Sequence, residues 1–166
     1  MKRAAAIVLS VLTMLFCLSS CSRKESPPPT CRELLVAMTE CEIGLPAGRI
    51  FCLTAQYGSE EYLPDSLLSS LFGNGNAPEI CESWQDCALF FALNDHPCEF
   101  AVIRCKSRDS ALDTAKLLSN HLASARLLKG NNEYFDKAKV TVIGNYALLI
   151  VSSDPDCAIK AVKVLI

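Results

Sequence analysis

Glu99-Phe100-Ala101-Val102-Ile103-Arg104-Cys105 and Tyr146-Ala147-Leu148-Leu149-Ile150-Val151 are two apolar runs of strand length, and each sits in the same local order. The first is preceded by another apolar run, Ala88 to Leu93, across the turn-forming group Asn94-Asp95-His96-Pro97. The second is preceded by Lys139 to Ile143 across Gly144-Asn145, a two-residue hairpin signal. A helix follows each pair. After the first, Asp109 or Ser107 is the cap, Ala111, Ala115, Leu118, Leu122 and Ala125 form one stripe, and Gly130 closes it. After the second, Asp154-Pro155 opens a helix carrying Ala158, Ala161, Val162 and Leu165. Phe100 to Ile103 can be laid on Tyr146 to Leu149. With one residue gained, Ala111 and Ala115 to Leu118 then fall on Ala158 and Val162 to Leu165. The unit strand–strand–helix is therefore used twice. It predicts an α+β domain with a largely antiparallel four-stranded sheet and both helices on one face.

Upstream, Thr30-Cys31-Arg32-Glu33 reads as a capping box that opens a short helix over Leu34, Leu35, Val36 and Met38, stopped by Gly44 and Pro46. Arg49 to Gln56 alternates like a strand and is equally compatible with an extended loop. Pro64 to Phe72 reads as a second short helix with Gly73 beyond its end, and Gly73 to Asn76 as a loop.

The chain has 166 residues, and 31–166 make one α+β domain, long enough for a core without help from cross-links. Hydrophobic residues make up 51%, too many for a disordered chain, and a net charge of −2 provides no field to hold nucleic acid. Residues 1–20 read as an export signal. Lys2-Arg3 precedes the apolar stretch Ala4 to Leu18, which is shorter than the ~20 residues of a membrane span and has the size of a secretory core. Leu18-Ser19-Ser20-Cys21 then matches the lipobox pattern of bacterial lipoproteins. The Cys21 thiol would carry a diacylglyceryl group, and small Ser19 and Ser20 would admit the peptidase that frees its amine. Residues 21–30 form the lipidated cysteine and its tether. Ser22 to Thr30, with three prolines, spans roughly 28 Å as polyproline II. Removal of Lys2 and Arg3 leaves 14 basic against 18 acidic side chains, so an anionic membrane surface would repel the domain and the lipid would do the holding.

Leu45 to Ile50, Tyr62 to Gly73, Pro97 to Ser107 and Gly144-Asn145-Tyr146 together resemble a domain of unknown function found in lipoproteins of clostridia and related Firmicutes. The resemblance spans residues 31 to 166 and lies in hydrophobic runs and turns. It implies an extracytoplasmic, membrane-anchored protein of a Gram-positive anaerobe, and it carries no activity, ligand or catalytic residue.

Eight cysteines remain beyond Cys21, which permits 105 pairings. Cys98 and Cys105 should face opposite sides of one extended run, whereas Cys81 and Cys87, across a short loop, are the first candidate for a disulfide. Reduced, buried cysteines are the alternative, since free cysteine packs well as an apolar residue. No Cys-x-x-Cys occurs, and His96-Pro97-Cys98 lacks the second close pair of ligands that a structural zinc needs. His96 reads as a turn residue and His121 as a helix-surface or edge residue. There is no Gly-x-Ser-x-Gly, and Glu60-Glu61 and Asp154 with Asp156 sit where caps and solvation explain them. Trp84 and Phe72 read as core anchors ahead of pocket walls. No catalytic residue, metal or further cofactor is nominated. The expectation is a membrane-anchored lipoprotein that binds an envelope protein or small ligand without catalysis. The alternative is cell-surface thiol–disulfide exchange by cysteines that the fold brings together, and a third possibility is a purely structural envelope module.

Overall fold

The structure is a computed structural model that describes residues 27–73, 79–130 and 132–166. The signal segment, Cys21, most of the tether and the loop after Gly73 lie outside the described residues. Among the described residues no helix is long and apolar enough to cross a membrane.

The chain order is α1 (Cys31–Thr39), β1 (Gly48–Cys52), α2 (Asp65–Phe72), a 3₁₀ turn (Glu79–Ser83), β2 (Trp84–Ala92), β3 (Glu99–Cys105), α3 (Arg108–Lys129), α4 (Glu133–Lys137), β4 (Lys139–Ile143), β5 (Tyr146–Val151) and α5 (Pro155–Leu165). The repeated unit is present as β2-β3-α3 and β4-β5-α5. The sheet order is β1-β2-β3-β5-β4, antiparallel throughout. The two units abut through their second strands, from Glu99 opposite Val151 to Arg104 opposite Tyr146. The fold class is α+β, with five strands instead of four. The additional strand is β1, whose segment was open between strand and loop, and it pairs with β2 from Gly48 opposite Ala92 to Cys52 opposite Ala88.

The helices do not share one face. Leu34, Leu35 and Met38 of α1 and Ala158 and Val162 of α5 pack on Phe100, Val102, Leu148 and Ile150. Ala111, Leu118 and Leu122 of α3 pack on Ala101, Ile103, Leu149 and Val151 on the opposite face, with Leu68 of α2 and Phe135 of α4. The cause is written in the strands. All six residues of β5 are buried, and a sheet with one wet face would instead alternate apolar with polar. The connection Lys106-Ser107 leads to α3, whereas Ser152-Ser153-Asp154 leads to α5. Because successive strand residues point to opposite sides, the one-residue gain in the second connection lets its helix leave on the other side.

Local chemistry fixes the ends. Ser107 and Asp154 cap α3 and α5 through the backbone N–H groups of Ser110 and Cys157, and Gly130 ends α3 at φ 76°. Thr30 and Glu33 form the capping box of α1. The Tyr146 hydroxyl donates to the Pro29 carbonyl at 3.2 Å and holds the residues just before α1 against the sheet. At Gly48 a Cβ would overlap the Phe90 ring and lie 2.7 Å from the Phe91 carbonyl oxygen, so this edge strand requires glycine for close approach.

Asp86 joins α1 to the sheet. A bulge between Trp84 and Asp86 lets Trp84 enter the α3 layer while Asp86 faces α1. The buried Asp86 carboxylate accepts from the backbone N–H of Cys31 at 2.8 Å and of Cys87 at 2.9 Å. Asp86→Ala removes the acceptor of both donors and should cost on the order of 2–4 kcal/mol. The urea midpoint should fall with an unchanged slope. A loss below about 0.5 kcal/mol would contradict this role.

Candidate functional site

Glu99 opens β3 on the face covered by α3, directly opposite Phe91 of β2. Its carboxylate lies 2.7 Å from Nε2 of His121. Both side chains are nearly buried, with exposures of 11% and 13%. His121 follows Leu118 by three positions and precedes Ala125 by four, which places it on the sheet-facing side of α3. The expectation of a helix-surface or edge residue is therefore corrected: the ring is tucked beneath α2. The Leu71 carbonyl also takes part in holding the ring, and Phe72 meets it edge-on with centroids 5.3 Å apart.

Burial alone would lower the His121 pKa, but hydrogen bonding and charge from Glu99, with help from the Leu71 carbonyl, outweigh it and raise the pKa above the ordinary value. The protonated ring is therefore stabilised relative to that of an ordinary histidine. The pair forms a latch that joins α3 to β3 beneath α2.

A cavity of about 290 Å³ opens above this pair. Leu71, Phe91, Ala125 and Leu128 form apolar walls, and Glu99, His121 and Lys129 supply the polar end. A smaller hollow of about 210 Å³ adjoins it on the other side of His121, where Phe72 forms part of the wall. The larger cavity has the composition of a small-ligand site, apolar walls with a few convergent polar groups, at the lower end of the usual size. Trp84, in contrast, is a core residue whose Nε1–H donates to the Thr114 hydroxyl at 3.0 Å.

His96, Glu61 and Asp156, also singled out in the sequence, have structural partners. The Nδ1 of His96 accepts from the Cys98 N–H at 3.1 Å within its turn, as a turn residue should. Glu61 takes a bidentate contact from Arg32, and Asp156 pairs with Lys139. Glu42 was not singled out. It is buried, and its two carboxylate oxygens accept from the Ser153 N–H at 2.8 Å and the Tyr134 hydroxyl at 3.2 Å. Nothing in the run Glu40-Cys41-Glu42 marks the last of the three as internal.

All eight cysteines of the described residues are free thiols. Cys31, Cys52, Cys87, Cys98 and Cys105 are buried, whereas Cys41, Cys81 and Cys157 reach solvent in part. Cys98 and Cys105 belong to opposite core layers, as their spacing requires. Cys81 and Cys87 both border the α3 layer. Burial pushes the Cys81 thiol up to about 11, Cys98 up to about 12, and Cys87 well above the usual thiol range. Burial thus suppresses the reactive thiolate at each of the three. Among the described residues, no three His, Cys, Asp or Glu side chains come together in a way that could hold a metal ion.

No protein-family model, curated protein or solved structure matches the chain.

The state of the latch can be read by pH. In the wild-type protein His121 should titrate above about 6.5 by NMR, and Glu99→Gln should lower that value. A histidine whose folded pKa is raised stabilises the fold fully below its unfolded pKa and loses that contribution as pH climbs through the folded value. The urea midpoint of the wild type should accordingly fall on passing from pH 5.5 to 8.5 by more than that of Glu99→Gln. Wild-type titration at or below the ordinary histidine value would overturn the latch.

Proposed function

We propose that this chain is a lipid-anchored extracytoplasmic module that binds a small amphipathic ligand at the Glu99–His121 cavity without catalysis. The observation that carries the reading is positional. The tether residues Pro27, Pro28 and Pro29 lie against Arg104 and Tyr146, at one end of the central β3–β5 pair, and the cavity lies at Glu99, the other end of β3. Five strand steps separate Arg104 from Glu99, roughly 17 Å. A domain held at one end of its central strand and open at the other leaves its cavity free of the tether. The lipobox at Cys21 supplies the membrane contact, and two or more acyl chains make such attachment stable.

Ligand chemistry follows from the lining. The apolar walls favour a short hydrocarbon body. The Lys129 ammonium, which reaches the His96 carbonyl at 3.4 Å, borders the polar end and favours an anionic head group. Surface thiol–disulfide exchange has less support. It needs an exposed thiol with a lowered pKa, and Cys41, which is partly exposed, is pushed up to about 11 by burial and its neighbours.

Two measurements test the reading. In a bacterial host that lipidates exported proteins, the wild type should fractionate with membranes and Cys21→Ser should become soluble. Titration of the protein with octanoate should shift the NMR signals of Leu71, Phe91 and Leu128, and Leu128→Glu should abolish those shifts. Membrane association that survives Cys21→Ser would remove the anchor. Octanoate shifts absent from the cavity, or centred elsewhere, would remove the site.

A further inference from the structure

The sheet ends in β1 on one side and β4 on the other. The β1 edge is covered at Cys52, whose N–H donates to the Glu61 carbonyl at 2.6 Å and whose carbonyl accepts from the Leu63 N–H at 3.3 Å. Among the described residues β4 pairs with β5 alone. Which of its backbone groups are free follows from the register. On the far side of β5, the Cys105 N–H donates to the Asn145 carbonyl at 2.9 Å. Successive strand residues turn their backbone groups to alternate sides, so Asn145, Ala147 and Leu149 face β3, and Tyr146, Leu148 and Ile150 face β4. Their partners Ile143, Thr141 and Lys139 are thereby engaged. The N–H and C=O groups of Val140 and Val142 point away from the sheet and form an open strand template.

A groove of about 560 Å³ runs along the same edge, between β4 and the first half of α3. Val140 and Val142 lie on the α3 face of the sheet, and Ala115 and the half-exposed Leu112 line the groove with them. Its charged members are Arg108 and Lys116, and no acidic side chain lines it. Arg108 makes no ion pair among the described residues. Lys116 pairs at 2.8 Å with Asp113, which lies outside the groove. Eight helix steps separate Arg108 from Lys116, about 12 Å. Four strand steps span roughly 13 Å. The two basic groups are therefore spaced like the first and fifth side chains of one extended peptide.

We propose that the β4 edge is a docking site for an extended acidic peptide of a partner protein, which joins the sheet as a sixth strand. The peptide main chain exchanges up to four hydrogen bonds with the outward groups of Val140 and Val142. Alternate side chains enter the groove. Acids four positions apart meet Arg108 and Lys116, and a small apolar residue midway between them packs on Val140, Val142 and Leu112. Charge selects this occupant over a second copy of the chain. Two-fold pairing of β4 with the same strand of another copy would bring the basic residues of both α3 helices together on one face, and like charges so placed are destabilising. The groove borders the first half of α3 and the Glu99–His121 cavity the second half, so this inference goes beyond the binding proposal and is independent of it.

The test titrates the purified full-length protein in detergent with the blocked peptide Thr-Glu-Thr-Val-Thr-Glu-Thr, followed by NMR. The Val140 and Val142 amides and the Leu112 methyl groups should shift. Hydrogen exchange at those two amides should slow at least about fivefold when peptide is bound. Replacing both peptide glutamates by lysine should weaken binding at least about tenfold, and Arg108→Glu in the protein about fivefold. Val142→Pro removes an outward N–H without touching the β5 ladder and should abolish binding. Arg108→Glu leaves the backbone intact and carries the test if Val142→Pro does not fold. Unchanged β4 amides at millimolar peptide, equal binding of the lysine peptide, or shifts centred on the Glu99–His121 cavity would overturn the proposal. Protection of the same amides without peptide, lost on dilution, would also overturn it and assign the edge to a second copy.

Discussion

The structure depends on burying a sheet that is apolar on both faces. Every side chain of β5, and all of β3 except Arg104, is buried, so each strand demands a cover above and below. The four-strand repeat supplies only one large helix per face. The remaining area is closed by pieces from outside the repeat: α1 beside α5 on one face, α2 and α4 beside α3 on the other. That requirement explains why short elements of modest intrinsic stability are ordered at all, since helices of eight or nine residues gain little from propensity alone and form here because they cover the sheet.

Three buried acids hold the covers in register, and each is satisfied in a different way. Asp86 holds the start of α1 to the bulge of β2, and Glu42 holds the end of the same helix region to α5 and α4. Glu99 holds α3 to β3 through His121. A buried carboxylate without such partners would cost several kcal/mol, so each fixes geometry more than it adds net stability. One of the three also organises the candidate site: Glu99 forms part of the polar end of the cavity.

Much of this architecture was legible in local sequence. The duplicated strand–strand–helix order, the Thr30 capping box, the Ser107 and Asp154 caps and the Gly144 turn all depend on neighbours within a few positions, and all are present. Side-of-sheet was misread as a consequence of treating the one-residue gain before α5 as an alignment detail, although the unbroken apolar run of β5 already called for two covers. The candidate site was harder to see. Glu99 and His121 lie on different elements, and their pairing depends on where α3 crosses the sheet, which no local pattern encodes. The visible clue was a single acid at the head of an apolar strand. The packing of α1 beside α5 was hidden for the same reason, because it depends on which face each helix covers.

Native-state hydrogen exchange tests the doubly covered sheet most directly. The amides of β3 and β5 should exchange only through global unfolding, with one common free energy, while those of edge strands β1 and β4 open at lower cost. A β5 whose amides exchange through a separate, much easier opening would contradict the account, because its two covers could then not be in place together.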